Sequence, residues 1–265
     1  MTPSAVGEGT APAGHRLFAR YAHAPNALGY CGPASSDAVR AVACGSPAQV
    51  DIAGVARRFS GAWPYQQILA DMTGVGDPLA EEVVRGYWTG NSLTKRVDRV
   101  AFGRALLERI TPQVAAYWAH LTDDLLGEAA PTHAFHVLSV YPWSRLLGAG
   151  PGPLHVLDSC RIAWATVRAV EPEALVVEGP VLAYDEGVLT LTAPVERRVG
   201  YRVGGETFVD GFAVGDRAAV HWDFACDRLT DEQAEALAAE TAWQLAAVAP
   251  RLLAAHRGSP AVPKG

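Results

Sequence analysis

The sequence predicts an α+β protein: a mostly helical N-terminal domain, then a small OB-like β-barrel, then a C-terminal helix. Three observations carry this. Up to about residue 150 apolar residues recur near a 3.6-residue period between Gly and Pro punctuation. From Leu154 onward, short β-rich runs alternate with tight turns. Thr230 and Gln233 then form the capping-box pattern T-x-x-Q ahead of a long segment with an apolar stripe.

Taken in order, residues 1–14 are rich in Ala, Gly and Pro and read as a flexible lead. Helical spacing covers residues 52–59, 79–88, 97–110 and 114–126, with Pro78 and Pro112 placed where helices begin. Residues 135–140 alternate imperfectly like a strand, and with Tyr141, Pro142 and Trp143 they close a first domain spanning 15–150. The Gly-rich stretch 148–153 marks the boundary. Strands are expected at 154–157, 162–170, 174–178, 181–184, 188–191, 196–203 and 218–224, separated by turns such as Asp185-Glu186-Gly187 and Gly204-Gly205. Their number and shortness suit a closed barrel over 151–229. The capping box opens a helix over 230–256, which offers Leu237, Leu245, Val248 and Leu252 for packing, and 257–265 reads as a disordered tail.

Composition narrows the function classes. The 265 residues are 49% hydrophobic and 19% charged, enough to bury a sizeable core, so a disordered chain is excluded. Twenty-two Lys and Arg against 28 Asp and Glu leave a formal charge of -6, which disfavours nucleic acid or an anionic membrane as partner. The apolar run 245–255 is broken by Pro250 and Arg251 and is too short to span a bilayer. The N-terminus lacks the basic start and apolar run of a secretory signal, so a cytoplasmic location is expected. No phosphate-binding or dinucleotide fingerprint is present.

Two constellations carry chemistry. The first begins at Cys31, in Gly-Tyr-Cys-Gly-Pro-Ala ahead of a helix, where a helix dipole would lower the thiol pKa. His133 and His136 follow, then Asp158. Cys, His, Asp is the order of papain-like thiol enzymes, and Cys31-Gly-Pro-Ala resembles the nucleophile turn of bacteriocin-processing peptidases and phytochelatin synthases. That resemblance implies His136 or His133 as base and Asp158 as its orienter. On a strand, the odd spacing of His133 and His136 would point them to opposite faces and prevent them from sharing a metal.

The second constellation joins Cys160, which leads the run Cys-Arg-Ile-Ala-Trp-Ala-Thr-Val-Arg-Ala-Val, to His221 in Val-Gly-Asp-Arg-Ala-Ala-Val-His-Trp-Asp-Phe-Ala. Leu229-Thr-Asp-Glu-Gln-Ala-Glu-Ala follows. This ordering, across roughly residues 158–240, resembles the hydrogenase assembly chaperones of the HypC/HupF type, although their cysteine is N-terminal and Cys160 is internal. The resemblance implies that Cys160 and His221 hold iron carrying cyanide and carbon monoxide for delivery to the nickel–iron hydrogenase large subunit or another assembly protein. A soft thiolate with an imidazole suits such a low-spin centre. Phrases along the whole chain, among them Gly29-Tyr-Cys-Gly-Pro and His133-Ala-Phe-His-Val, also resemble an uncharacterised actinobacterial family associated with hydrogenase gene clusters. The expected function is therefore a metal-fragment chaperone rather than an enzyme. A thiol-dependent hydrolase or transferase using Cys31, His136 and Asp158, and a non-catalytic interaction module, are the alternatives.

Overall fold

The computed structural model describes residues 11–45, 50–110 and 121–258. It has helices in the N-terminal half, a strand-rich region and a C-terminal helix, an α+β architecture. The flexible lead expected over 1–14 lies mostly outside the described residues, but Ala13 already opens helix α1 (Ala13–Ala27).

Helices α2 (Ser36–Ala43), α3 (Ile52–Ala56), α4 (Trp63–Thr73), α5 (Glu81–Thr89) and α6 (Arg99–Ile110) complete the helical half. Of these, α3 and α6 fall within expected stretches, and α5 runs one residue past the expected 79–88. Of the stretch 114–126, the described end is irregular before a 3-10 segment begins at Asp123 (Asp123–Glu128). α1 is central: Phe18, Ala19, Tyr21 and Ala22 are fully buried, because α1 packs on α2 and α5 and also against the barrel.

Five strands close the barrel: β1 (Ala163–Val170), β2 (Ala174–Gly179), β5 (Val195–Gly200), β8 (Arg217–His221) and β9 (Phe224–Leu229). They run in the order β1-β2-β5-β9-β8, antiparallel except at one seam. That seam is a parallel β5–β9 contact at Gly200 and Phe224, so closure is uneven. The remaining strands form two hairpins, β3 (Leu182–Asp185) with β4 (Val188–Leu191), and β6 (Arg202–Val203) with β7 (Glu206–Thr207).

Three expected strands are corrected. Residues 135–140 are helical: α7 (His133–Phe135) runs directly into a π-helical turn, His136–Val140. Val137 and Val140 favour a strand locally, but the buried faces of this segment pack on α5 and α9, and packing decides. Residues 154–157 lie inside α8 (Pro151–Cys160), where Pro151 takes the first helical position with its φ already set for a helix. The expected strand 218–224 is two strands, because the chain reverses at Trp222 and Asp223, with φ of 50° and 52°.

The C-terminal helix α9 (Asp231–Gly258) opens with the expected capping box: Thr230 N donates to Gln233 Oε1 at 2.9 Å, and Gln233 N donates to Thr230 Oγ1 at 3.2 Å. Leu237, Leu245, Val248 and Leu252 are all buried. The tail 257–265 begins inside α9, and its residues past Gly258 lie outside the described ones.

One apolar core crosses the boundary expected near residue 150, joining Phe18, Tyr21 and Leu69 to Ala165, Val177 and Val220. A smaller core lies between α8, the β3–β4 hairpin, α9 and the π-turn, with Leu138, Leu157, Leu182 and Val248 at its centre. Polar bonds fix the His133 segment against α9: Gln244 Nε2 donates to Ser139 Oγ at 2.9 Å, and Arg251 Nη2 donates to the Leu138 carbonyl at 3.0 Å.

Candidate metal centre

Cys160 and His221 meet because of strand register. β1 and β8 pair antiparallel with Ala163 opposite Val220, so the residues just before β1 lie beside the end of β8. Cys160 is the last residue of α8 and His221 the last of β8. The turn after His221 is pinned to the end of α8 by Trp222 N donating to the Ser159 carbonyl at 2.8 Å.

A third donor comes from the helical half. Single ligand atoms of His133, Cys160 and His221 all lie within 4.8 Å of one another, and the three residues are buried. His133 is 5% exposed and His221 1%.

The hydrogen bonds decide which nitrogens are free. His221 Nδ1 lies 2.7 Å from the Tyr21 carbonyl, which can only accept, so Nδ1 carries the proton and Nε2 keeps its lone pair. His221 Nε2 is buried with no hydrogen-bond partner among the described residues. A ring nitrogen oriented through a carbonyl on its far side, with its own lone pair unspent, is the arrangement of a metal-ligating histidine.

His133 is set differently. Its Nε2 lies 2.9 Å from the Cys160 carbonyl and its Nδ1 2.9 Å from Tyr87 Oη. Tyr87 Oη also reaches the Gly61 carbonyl at 2.8 Å. The Cys160 carbonyl can only accept, so His133 Nε2 carries the proton and Nδ1 is the acceptor facing the Tyr87 hydroxyl. To ligate through Nε2 the ring must give up the Cys160 bond and move its proton to Nδ1, where Tyr87 Oη can accept it.

All three donors are held neutral. Burial pushes His221 down from 6.5 to about 4, against the raising influence of the nearby Tyr21 and Cys160 carbonyls. Burial, with His221 and His136 nearby, takes His133 well below its ordinary value. Burial lifts the Cys160 thiol to about 12; Cys31 adds to the rise, and the Trp222 indole opposes it.

The cluster faces a cavity of about 390 Å³ that the helical half and the barrel line together. Tyr65, Tyr87 and Trp88 supply much of its wall, and among the described residues no Asp or Glu lines it. Cys31 and His136 also line it. Among the described residues this places two thiols and three imidazoles around one space.

The sequence-derived thiol triad is not assembled. Asp158 accepts from Arg161 Nε at 2.9 Å and from Leu182 N at 2.8 Å, and it does not line the cavity. Cys31 sits outside the first turn of α2, which begins at Ser36, and burial raises its thiol to about 12 where a helix dipole was expected to lower it. The expectation that His133 and His136 point to opposite faces is also corrected. On α7 and its π-turn they share a face, with ring centroids 6.0 Å apart.

His133 is thus the donor that sequence reasoning undervalued. Its signal was Thr132 in the N-cap position, with His133 and His136 at helical spacing after it.

Residues 10–255 match a family of unknown function, DUF6390, and the chain belongs to that family. No curated protein and no solved structure matches.

Proposed function

We propose that this DUF6390 member is a cytoplasmic carrier of a transition-metal fragment. The cargo is iron bearing cyanide and carbon monoxide, held by Cys160 and His221 with His133 as a third donor. It is handed to the nickel–iron hydrogenase large subunit or another protein of that assembly line. The observation that carries the reading is the buried His133–Cys160–His221 cluster, in which His221 Nε2 has no hydrogen-bond partner among the described residues.

Two features support this cargo over a bare ion. A divalent metal bound by one thiolate and two neutral imidazoles keeps a net positive charge, which is costly in a buried site. Among the described residues no carboxylate lines the cavity to cancel it, so anionic ligands arriving with the metal suit the site. The cavity of about 390 Å³ is also far larger than an ion and leaves room for diatomic ligands beside the three side chains. The cysteine and barrel histidine are, in addition, the pair singled out by the sequence resemblance to the HypC/HupF chaperones.

The chemistry asked of the protein is retention and release. Cys160 supplies the soft anionic ligand, Tyr21 and Tyr87 orient the two imidazoles, and largely apolar walls surround the cargo. The test is an infrared spectrum of protein purified without oxygen from cells expressing hydrogenase assembly genes. Bands of metal-bound cyanide and carbon monoxide are expected, and they disappear in Cys160→Ala. Iron-containing protein with a silent spectrum in that region contradicts the cargo assignment.

A further inference from the structure

We propose that Cys31 and His136 form a second, outer donor pair through which the metal enters and leaves the Cys160 site. This rests on the reading of the His133–Cys160–His221 cluster as a metal site.

The donors are graded by depth. Cys160, His133 and His221 are buried, whereas Cys31 and His136 are only partly buried and line the same cavity. His136 Nδ1 is itself sealed from solvent and has no hydrogen-bond partner among the described residues. Its ring lies one helical step from His133 with the planes 24° apart, so the two imidazoles form a row leading away from the cluster. The ring occupies space that only glycine leaves open: a Cβ on Gly61 would stand 2.7 Å from His136 Nε2.

Cys31 is carried by a segment of defined conformation. Gly29 and Gly32, with φ of 78° and 76°, flank Tyr30 and Cys31 in a conformation L side chains rarely adopt. Asn26 Nδ2 holds the later part of the segment, donating to the Cys31 carbonyl at 2.8 Å and to the Pro33 carbonyl at 2.6 Å. Tyr30 stacks on Trp222 at 3.9 Å, seating the loop against the turn that follows His221. Cys31 is thereby held over the cavity near the deeper thiol.

The transfer balances without redox chemistry. The metal–sulfur bond to Cys160 breaks as one to Cys31 forms, and the proton leaving the Cys31 thiol passes to Cys160 sulfur. His136 takes over the place of one inner imidazole. Charge and oxidation state are unchanged, and the reverse sequence loads the site.

The test uses cobalt(II) as probe on the full chain, following its removal by excess chelator through the thiolate-to-cobalt absorbance. In Cys31→Ser, release is expected to slow about tenfold or more, with loading slowed by a similar factor. A substitution that merely loosened the site would speed release, so the direction of the change separates the two. His136→Gln is expected to slow release likewise, which covers the case of a poorly folded Cys31 variant. Release at the wild-type rate or faster in both variants overturns the outer pair. Wild-type protein that takes up no cobalt overturns the underlying metal site instead.

Discussion

His221 Nδ1 donates to the backbone carbonyl of Tyr21 across 2.7 Å, tying the end of a barrel strand to the middle of the first helix. One bond thus joins the two halves of the fold and fixes the tautomer that leaves His221 Nε2 open. His221→Ala is expected to lose metal binding and to cost about 2–4 kcal/mol of stability, since it strands a buried carbonyl and opens a cavity. Cys160→Ser should lose binding at a cost of about 1 kcal/mol or less. Urea denaturation of the two variants separates these outcomes.

Stability should fall as pH drops from 7 toward 5. Burial holds His136 and His221 at about 4 in the folded chain, whereas an unfolded histidine titrates near 6.5. Between those values the unfolded state binds more protons, so stability rises with pH through the window and is complete above it. As pH falls to 5, each of these histidines is expected to remove about 2 kcal/mol. Denaturant midpoints measured from pH 7 to pH 4.5 check this, and a flat profile would show that these rings are protonated in the native state.

Tyr87→Phe tests the tautomer argument. It removes the hydroxyl shared between His133 Nδ1 and the Gly61 carbonyl while keeping the ring. Metal affinity should drop by about 10–100-fold, the usual consequence of losing a group that orients a ligating histidine. Competition against a chelator of known affinity gives the value.

Asp227 is a second joint between barrel and helices. It is 4% exposed and takes Arg85 at 3.1 Å, Arg20 at 3.3 Å and the Tyr21 hydroxyl at 3.3 Å. Asp227→Ala leaves two guanidinium groups without their buried counter-charge and should destabilise the fold by about 3–5 kcal/mol. Because Tyr21 also positions His221, a loss of metal affinity should accompany it. Thermal melting and cobalt titration of the same sample report both effects.

Much of the barrel was legible because its strands are short, β-branched and punctuated by turn residues, and the α9 capping box fell where Thr230 and Gln233 put it. The approach of Cys160 to His221 was legible only through a motif; its cause, the β1–β8 register, is a long-range fact no local pattern states. His133 was obscured because Phe135, Val137 and Val140 read as a strand, and helix geometry reached them only through packing on α5 and α9. The return strand β9 was missed because Trp222 and Asp223 make a tight turn without the glycine that normally signals one.

The most direct test of the metal site is a cobalt(II) titration of the oxygen-free protein, read by absorbance and by proton release. The account predicts one equivalent bound, a thiolate-to-cobalt band absent in Cys160→Ser, and about one proton released per metal at pH 7, because the imidazoles are already neutral. A titration with no thiolate band, or with the band intact in Cys160→Ser, would contradict it.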